Sequence, residues 1–185
     1  MLIGLAALGR PGDTRRNLAA LGGALLPDLP AILLVVWALH VEGRSPGEVF
    51  GLLYWSPSWQ AIFAPTHAFP VWGLALAAAL ALRSPLLVAF TASGLIHLAC
   101  DFPVHLTDAH RQFWPLTDWR IHSPVSYWDP AHYGGIVALL EAVLDLGLTV
   151  WMLARFRSLP ARAMLTMVLL AYLGTLAYFA RAFAS

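Results

Sequence analysis

The chain has 185 residues, 59% of them hydrophobic and 11% charged, with a formal net charge of +1. Soluble domains are about 45–50% apolar and about 25% charged, so this composition excludes an ordinary soluble domain and points to a membrane protein. Every basic residue is an arginine and none lies in a basic run, which excludes nucleic-acid binding through phosphates, and the single cysteine, Cys100, excludes an internal disulfide or a CxxC motif.

In chain order, residues 1–9 are apolar but too short to cross a bilayer. They also lack the basic region and cleavage site of a signal peptide. Residues 18–39 reach the roughly 20 that a crossing needs, with Pro27-Asp28-Leu29-Pro30 interrupting them. Residues 41–66 read as a long connection. Residues 69–82 and 85–100 read as a helical hairpin turned at Arg83-Ser84, and 101–134 as a second long connection. Residues 135–154 and 163–180 complete the set, with Pro160 as a breaker between them. The expectation is an all-α, polytopic membrane protein of about five to six membrane helices in a single domain, 1–185. Five of the eight tryptophans, Trp55, Trp59, Trp114, Trp119 and Trp128, fall in the two long connections, as in loops anchored at headgroup depth. One set of loops holds Arg10, Arg15, Arg16, Arg83, Arg155, Arg157 and Arg162; the other holds Arg44, Arg111 and Arg120, with Arg181 at the C-terminus. The positive-inside rule then puts both tryptophan-rich connections outside the cytoplasm.

The densest chemistry is the run from His97 to Arg111, which carries three histidines and two aspartates. His97 and Asp101 are four apart on an apolar helix and share a face, so an imidazole and a carboxylate reach one ion. Pro103 ends that helix, leaving His105 free to fold back over the site. Nitrogen and oxygen donors of this kind suit Zn, Mn or Fe; the alternative is a set of loop polars at a wet interface. Asp28, flanked by prolines at membrane depth, reads either as a ligand facing a cavity or as the N-cap of the helix after it. His67 lies at the same end as His97. Glu141 and Asp145 share a face of a later span and read as ligands, a proton relay or structural partners of Arg111 and Arg120. Arg111 and Arg120 suit an anionic group, while Asp108 and His110 stand where a proton shuttle would be needed. No nucleotide-binding, serine-elbow or HExxH motif is present.

The residues Gly-Ala-Leu-Leu-Pro-Asp ending at Asp28, Thr-His at His67, and His97-Leu-x-x-Asp101-x-x-x-His105 resemble the YdjM-like family of membrane-bound metal-dependent hydrolases, the LexA-regulated type. Phe-Trp-Pro-x-x-Asp-Trp and Ser-Pro-Val-Ser-Tyr-Trp-Asp extend the likeness to about residue 134. The resemblance implies a divalent metal, Zn first, on Asp28, His67, His97, Asp101 and His105. It also implies a metal-activated water and hydrolysis of an ester or phosphoester, with an amphiphilic or lipid substrate entering from the bilayer at the outer face of a bacterial inner membrane. Family members open with a histidine in the first helix. None precedes His40 here, so the expectation is either a start a few residues upstream or an incomplete ligand set in a weak or inactive member. The rival readings are a metal- or proton-coupled transporter using Asp28, Glu141 and Asp145, and a non-catalytic metal-binding membrane protein.

Overall fold

A computed structural model describes residues 2–127 and 129–184, with side chains to residue 170 and at 173 and 174. Met1, Trp128 and the Arg181 side chain lie outside the described residues. The chain is all-α, with no strand among the described residues. Its helices are α1 (Leu2–Leu8), α2 (Thr14–Leu25), α3 (Leu29–His40), a turn α4 (Pro46–Glu48) continued by a π-turn (Val49–Leu53), α5 (Pro57–Thr66), α6 (Phe69–Ala81), α7 (Pro85–Asp101), α8 (Gly134–Arg155) and α9 (Leu159–Ala184).

Local chemistry explains the starts. Asp13, Ser56 and Ser84 cap α2, α5 and α7, accepting from the N–H groups of Arg16, Trp59 and Leu87. Proline at the first helical position of α5 and α7 costs no hydrogen bond, because that N–H has no helical partner. Pro160, expected to act as a breaker, instead sits in the opening turn of α9.

Two differences from the sequence expectation stand out. Residues 57–66 form a helix rather than loop, because Pro57 starts it and Pro65 falls one residue before its end, where a missing N–H does little harm. α5 and α6 together make an apolar unit, Pro57–Ala81, of 25 residues. Among the described residues, two helices are long and apolar enough to cross a membrane, Pro57–Ala81 and Gly134–Arg155, or three if α2 and α3, bent by 64°, count as one broken span; most of the expected span 163–180 lies outside the residues whose side chains are described. The expected five to six included α7, which at 17 residues falls just short of a full crossing.

The site is positioned by α2 and α7. Gly23 lies so close to α7 that a Cβ there would stand 1.9 Å from the Phe90 carbonyl oxygen. Five residues beyond Gly23 and seven beyond Phe90, Asp28 meets His97, so the two helices run in the same direction. α6 returns beside α7 through Gly94, where a Cβ would strike the Trp72 ring at 2.1 Å. α1 packs on α2, α7 and α8, and Leu2 and Leu5 share a buried cluster with Met152, Phe156 and Leu165. Arg155 closes that end by donating to the Ala6 and Gly9 carbonyls, and Arg16 donates to Leu8. The arginine-lined end of the bundle is therefore opposite the end that carries His97 and Asp101.

Candidate metal centre

Three segments that are remote in sequence converge at the far end of α2 and α7. Asp28 lies at the break between α2 and α3, His67 at the break between α5 and α6, and His97 and Asp101 on the last turn of α7. One donor atom from each falls within 4.8 Å of all the others. His97 Nε2 lies 2.9 Å from Asp101 Oδ2 and 3.5 Å from Asp28 Oδ1, and His67 Nε2 lies 3.6 Å from Asp28 Oδ1. These contacts are short, yet the buried Nε2 atoms of His67 and His97 make no hydrogen bond among the described residues. A buried ring nitrogen without a hydrogen bond is costly in an ordinary core. With one donor atom from each of the four residues within 4.8 Å of the rest, an ion can satisfy nitrogens and carboxylates together, so the residues fit a metal ion.

The surroundings hold the donors in place. His67 Nδ1 faces the Phe63 carbonyl at 3.2 Å and Thr66 Oγ1 at 3.3 Å, the tautomer that leaves the Nε2 lone pair for an ion. Thr66 also donates to the Pro27 carbonyl at 3.1 Å, tying the α5 terminus to the break that carries Asp28. Asp28 is the N-cap residue of α3 by position, but its carboxylate makes no capping bond. It turns to the two histidines instead, and its side chain remains 49% exposed. Of the two roles the sequence allowed, the capping bond is not made.

His105 stands outside this four-residue group. Pro103 does end α7, and His105 folds back so that its Nε2 lies 3.8 Å from Asp101 Oδ2 while its Nδ1 faces Asp108 Oδ2 at 2.9 Å. Burial alone would depress the His105 pKa; the Asp108 carboxylate and the more distant charges of Asp101 and Asp28 raise it overall. His110 stacks on His67, ring centroids 3.7 Å apart, and burial together with the His67 and His105 rings holds it well below the ordinary imidazole value. A cavity of about 20 Å³ separates His67, Asp101, His105 and His110, room for roughly one water.

The two arginines do not match their expected role. Arg111 bonds Asp118 at 2.9 Å and the Gln60 carbonyl at 2.9 Å; Arg120 bonds the Ala109 carbonyl at 3.0 Å and Gln60 Oε1 at 3.3 Å. One terminal nitrogen of each reaches Gln60 on α5 and the other bonds within the 101–134 segment, so both arginines fasten that segment to α5. Glu141 lies on an exposed face of α8. Asp145 is buried beside a groove of about 140 Å³ between α8 and α9, lined by Leu139, Leu146 and Leu169, and outside the His/Asp group.

Gln60 was not legible as a functional residue. It is 8% exposed, receives both arginines and donates to the Tyr54 carbonyl. Its signal was position: Gln60, Ala64 and His67 recur at helical spacing on one face of α5. Gln60→Leu is expected to destabilise the protein by about 1–3 kcal/mol, because Arg120 and the Tyr54 carbonyl lose their partners. Limited proteolysis checks it: cleavage should accelerate within 101–134 and not within α8.

No family model, no curated protein and no solved structure matches this chain.

Proposed function

We propose that this protein is a membrane-embedded, metal-dependent hydrolase. The observation that carries the reading is the convergence of Asp28, His67, His97 and Asp101, with two buried imidazole nitrogens that lack hydrogen bonds and face two carboxylates. A two-nitrogen, two-oxygen donor set suits Zn, with Mn or Fe as alternatives. A divalent ion bound there supplies Lewis acidity and brings the pKa of a water it carries toward about 7. The chain's own residues do the rest. Asp101 and His97 hold their side chains one turn apart on a rigid helix. His67 is oriented by the Phe63 carbonyl, and the His67–His110 stack keeps bulk water from one side. His105, with Asp108 behind its Nδ1, stands where a proton can be held or handed on. The likeness to the YdjM-like family supports the same chemistry.

The substrate in this reading is an ester or phosphoester borne by an amphiphile. Exposed Trp37, Trp55 and Trp119, with Phe50 and Leu116, give the molecule apolar area suited to a lipid boundary. The arginine asymmetry supports an outer-face position for the site end, in a bacterial inner membrane.

The test is turnover by the full chain in detergent, with chromogenic carboxylic esters and phosphoesters carrying short acyl or alkyl tails. Stripping the metal with a chelator should lower the rate at least about 100-fold, because a Lewis acid contributes several kcal/mol to such a barrier. Adding Zn should restore it. Turnover that survives metal removal would contradict the hydrolase reading, and metal binding with no turnover on any substrate would leave a non-catalytic metal protein.

A further inference from the structure

We propose that the groove between α8 and α9 is a binding site for a hydrophobic amine, a protonated nitrogen on an apolar body, with Asp145 as its counter-ion. The site is separate from the metal centre and does not depend on it.

α8 is long and apolar enough to cross a membrane, and Asp145 falls at its middle, ten residues or about 15 Å from Arg155 along the helix. An acidic side chain at that depth is costly, and chains that keep one set it against a cation, a ligand or an ion path. Asp145 is 8% exposed, yet among the described residues its carboxyl group has neither a hydrogen bond nor an ion pair.

The chain offers no counter-ion at this depth. No lysine occurs, and no arginine lies between Arg120 and Arg155 or between Arg162 and Arg181. Arg155 gives its terminal nitrogens to the Ala6 and Gly9 carbonyls. Glu141, one turn before Asp145, is a second acid rather than a base. A second copy of the chain is no better placed, since it would bring the same arginine-free spans against the groove. The cation must therefore come with a ligand.

The walls of the groove select its kind. The volume is about 140 Å³, and Leu139, Ala142 and Leu146 of α8 line it together with Leu169 and Leu173 of α9. Among the described residues that line it, Asp145 and Thr149, one turn apart, are the two that carry side-chain oxygen. A bare metal ion needs more donors than these two side chains supply. An ammonium group has three N–H donors at most, which a carboxylate and a hydroxyl can accept, and its hydrocarbon body gains from apolar walls. Leu139 and Leu146 are exposed, so the groove opens on the outside of the bundle, where such a ligand arrives from the lipid.

The test uses the full chain in phosphatidylcholine nanodiscs and tritiated 1-adamantanamine, a compact amine that is protonated at neutral pH. Equilibrium dialysis, with empty nanodiscs subtracted, is expected to find about one saturable site per chain, for which the uncharged 1-adamantanol competes at least about tenfold less well than unlabelled amine. Asp145→Asn should weaken amine binding at least about tenfold while metal content stays as in the wild type. Ala142→Phe keeps the carboxylate and fills the groove, and should abolish binding; with the alcohol competition it carries the test if Asp145→Asn fails to fold. Absence of saturable binding, as when a second copy or a partner helix fills the groove, overturns the proposal. So does equal competition by 1-adamantanol, which would make the groove a seat for neutral chains such as lipid tails, and so does wild-type affinity in either variant.

Discussion

Asp28→Asn is expected to leave the protein folded and cost it most of its metal affinity. Asn has nearly the shape of Asp and is equally good at the start of a helix, and the Asp28 carboxylate makes no capping bond to lose. Its removal takes away the charge that faces both His67 and His97. Loss of an outer-shell partner alone costs a metal site roughly 10–100-fold in affinity, and loss of a ligand should cost at least that. Competition with a chromogenic chelator measures the metal affinity, and thermal unfolding in detergent measures whether the fold is kept. A variant that binds metal as the wild type does would show that Asp28 is not a ligand. A variant that melts early with its affinity intact would return Asp28 to a purely structural role.

The second large effect concerns packing. Gly23→Ala is expected to destabilise the protein by about 1–3 kcal/mol, the usual cost of forcing extra atoms into a packed interface. The new Cβ would stand 1.9 Å from the Phe90 carbonyl oxygen, a backbone atom that cannot rotate away. α2 must then move off α7 and carry Asp28 away from His97, so metal affinity should fall as well. Gly22→Ala is the control. Its Cβ would meet the Phe90 ring at 3.5 Å, an ordinary contact, and alanine's better helix propensity should stabilise by up to about 1 kcal/mol. Opposite signs at adjacent glycines, read by thermal unfolding of each variant, would establish that α2 and α7 meet at Gly23. Equal effects would contradict that contact.

The legible parts of this molecule were those written in local periodicity. His97 and Asp101 share a face because they are four apart, and Pro103 ends their helix because its ring removes an N–H; both follow from helix geometry. Asp28 was conspicuous because a carboxylate between two prolines at membrane depth needs a reason. What the sequence could not carry was which partner each polar group finds across the fold. Arg111 and Arg120 looked available for an anion, since nothing local competes for them, but Gln60 lies 51 and 60 residues away from them. His105 was expected as a fifth ligand on the strength of the family resemblance. The fold turns its Nδ1 to Asp108 and leaves it outside the group of four. The helix at 57–66 was hidden by its own punctuation: two prolines and two nearby tryptophans read as loop, although both prolines stand where a helix tolerates them.

The central claim is that Asp28, His67, His97 and Asp101 hold a metal ion, and metal content tests it most directly. Elemental analysis of the purified full chain, beside His97→Ala and Asp101→Ala, is predicted to find about one divalent ion per wild-type chain and clear depletion in both variants. Equal metal content in all three proteins, or none in the wild type after growth with added Zn, would contradict the account.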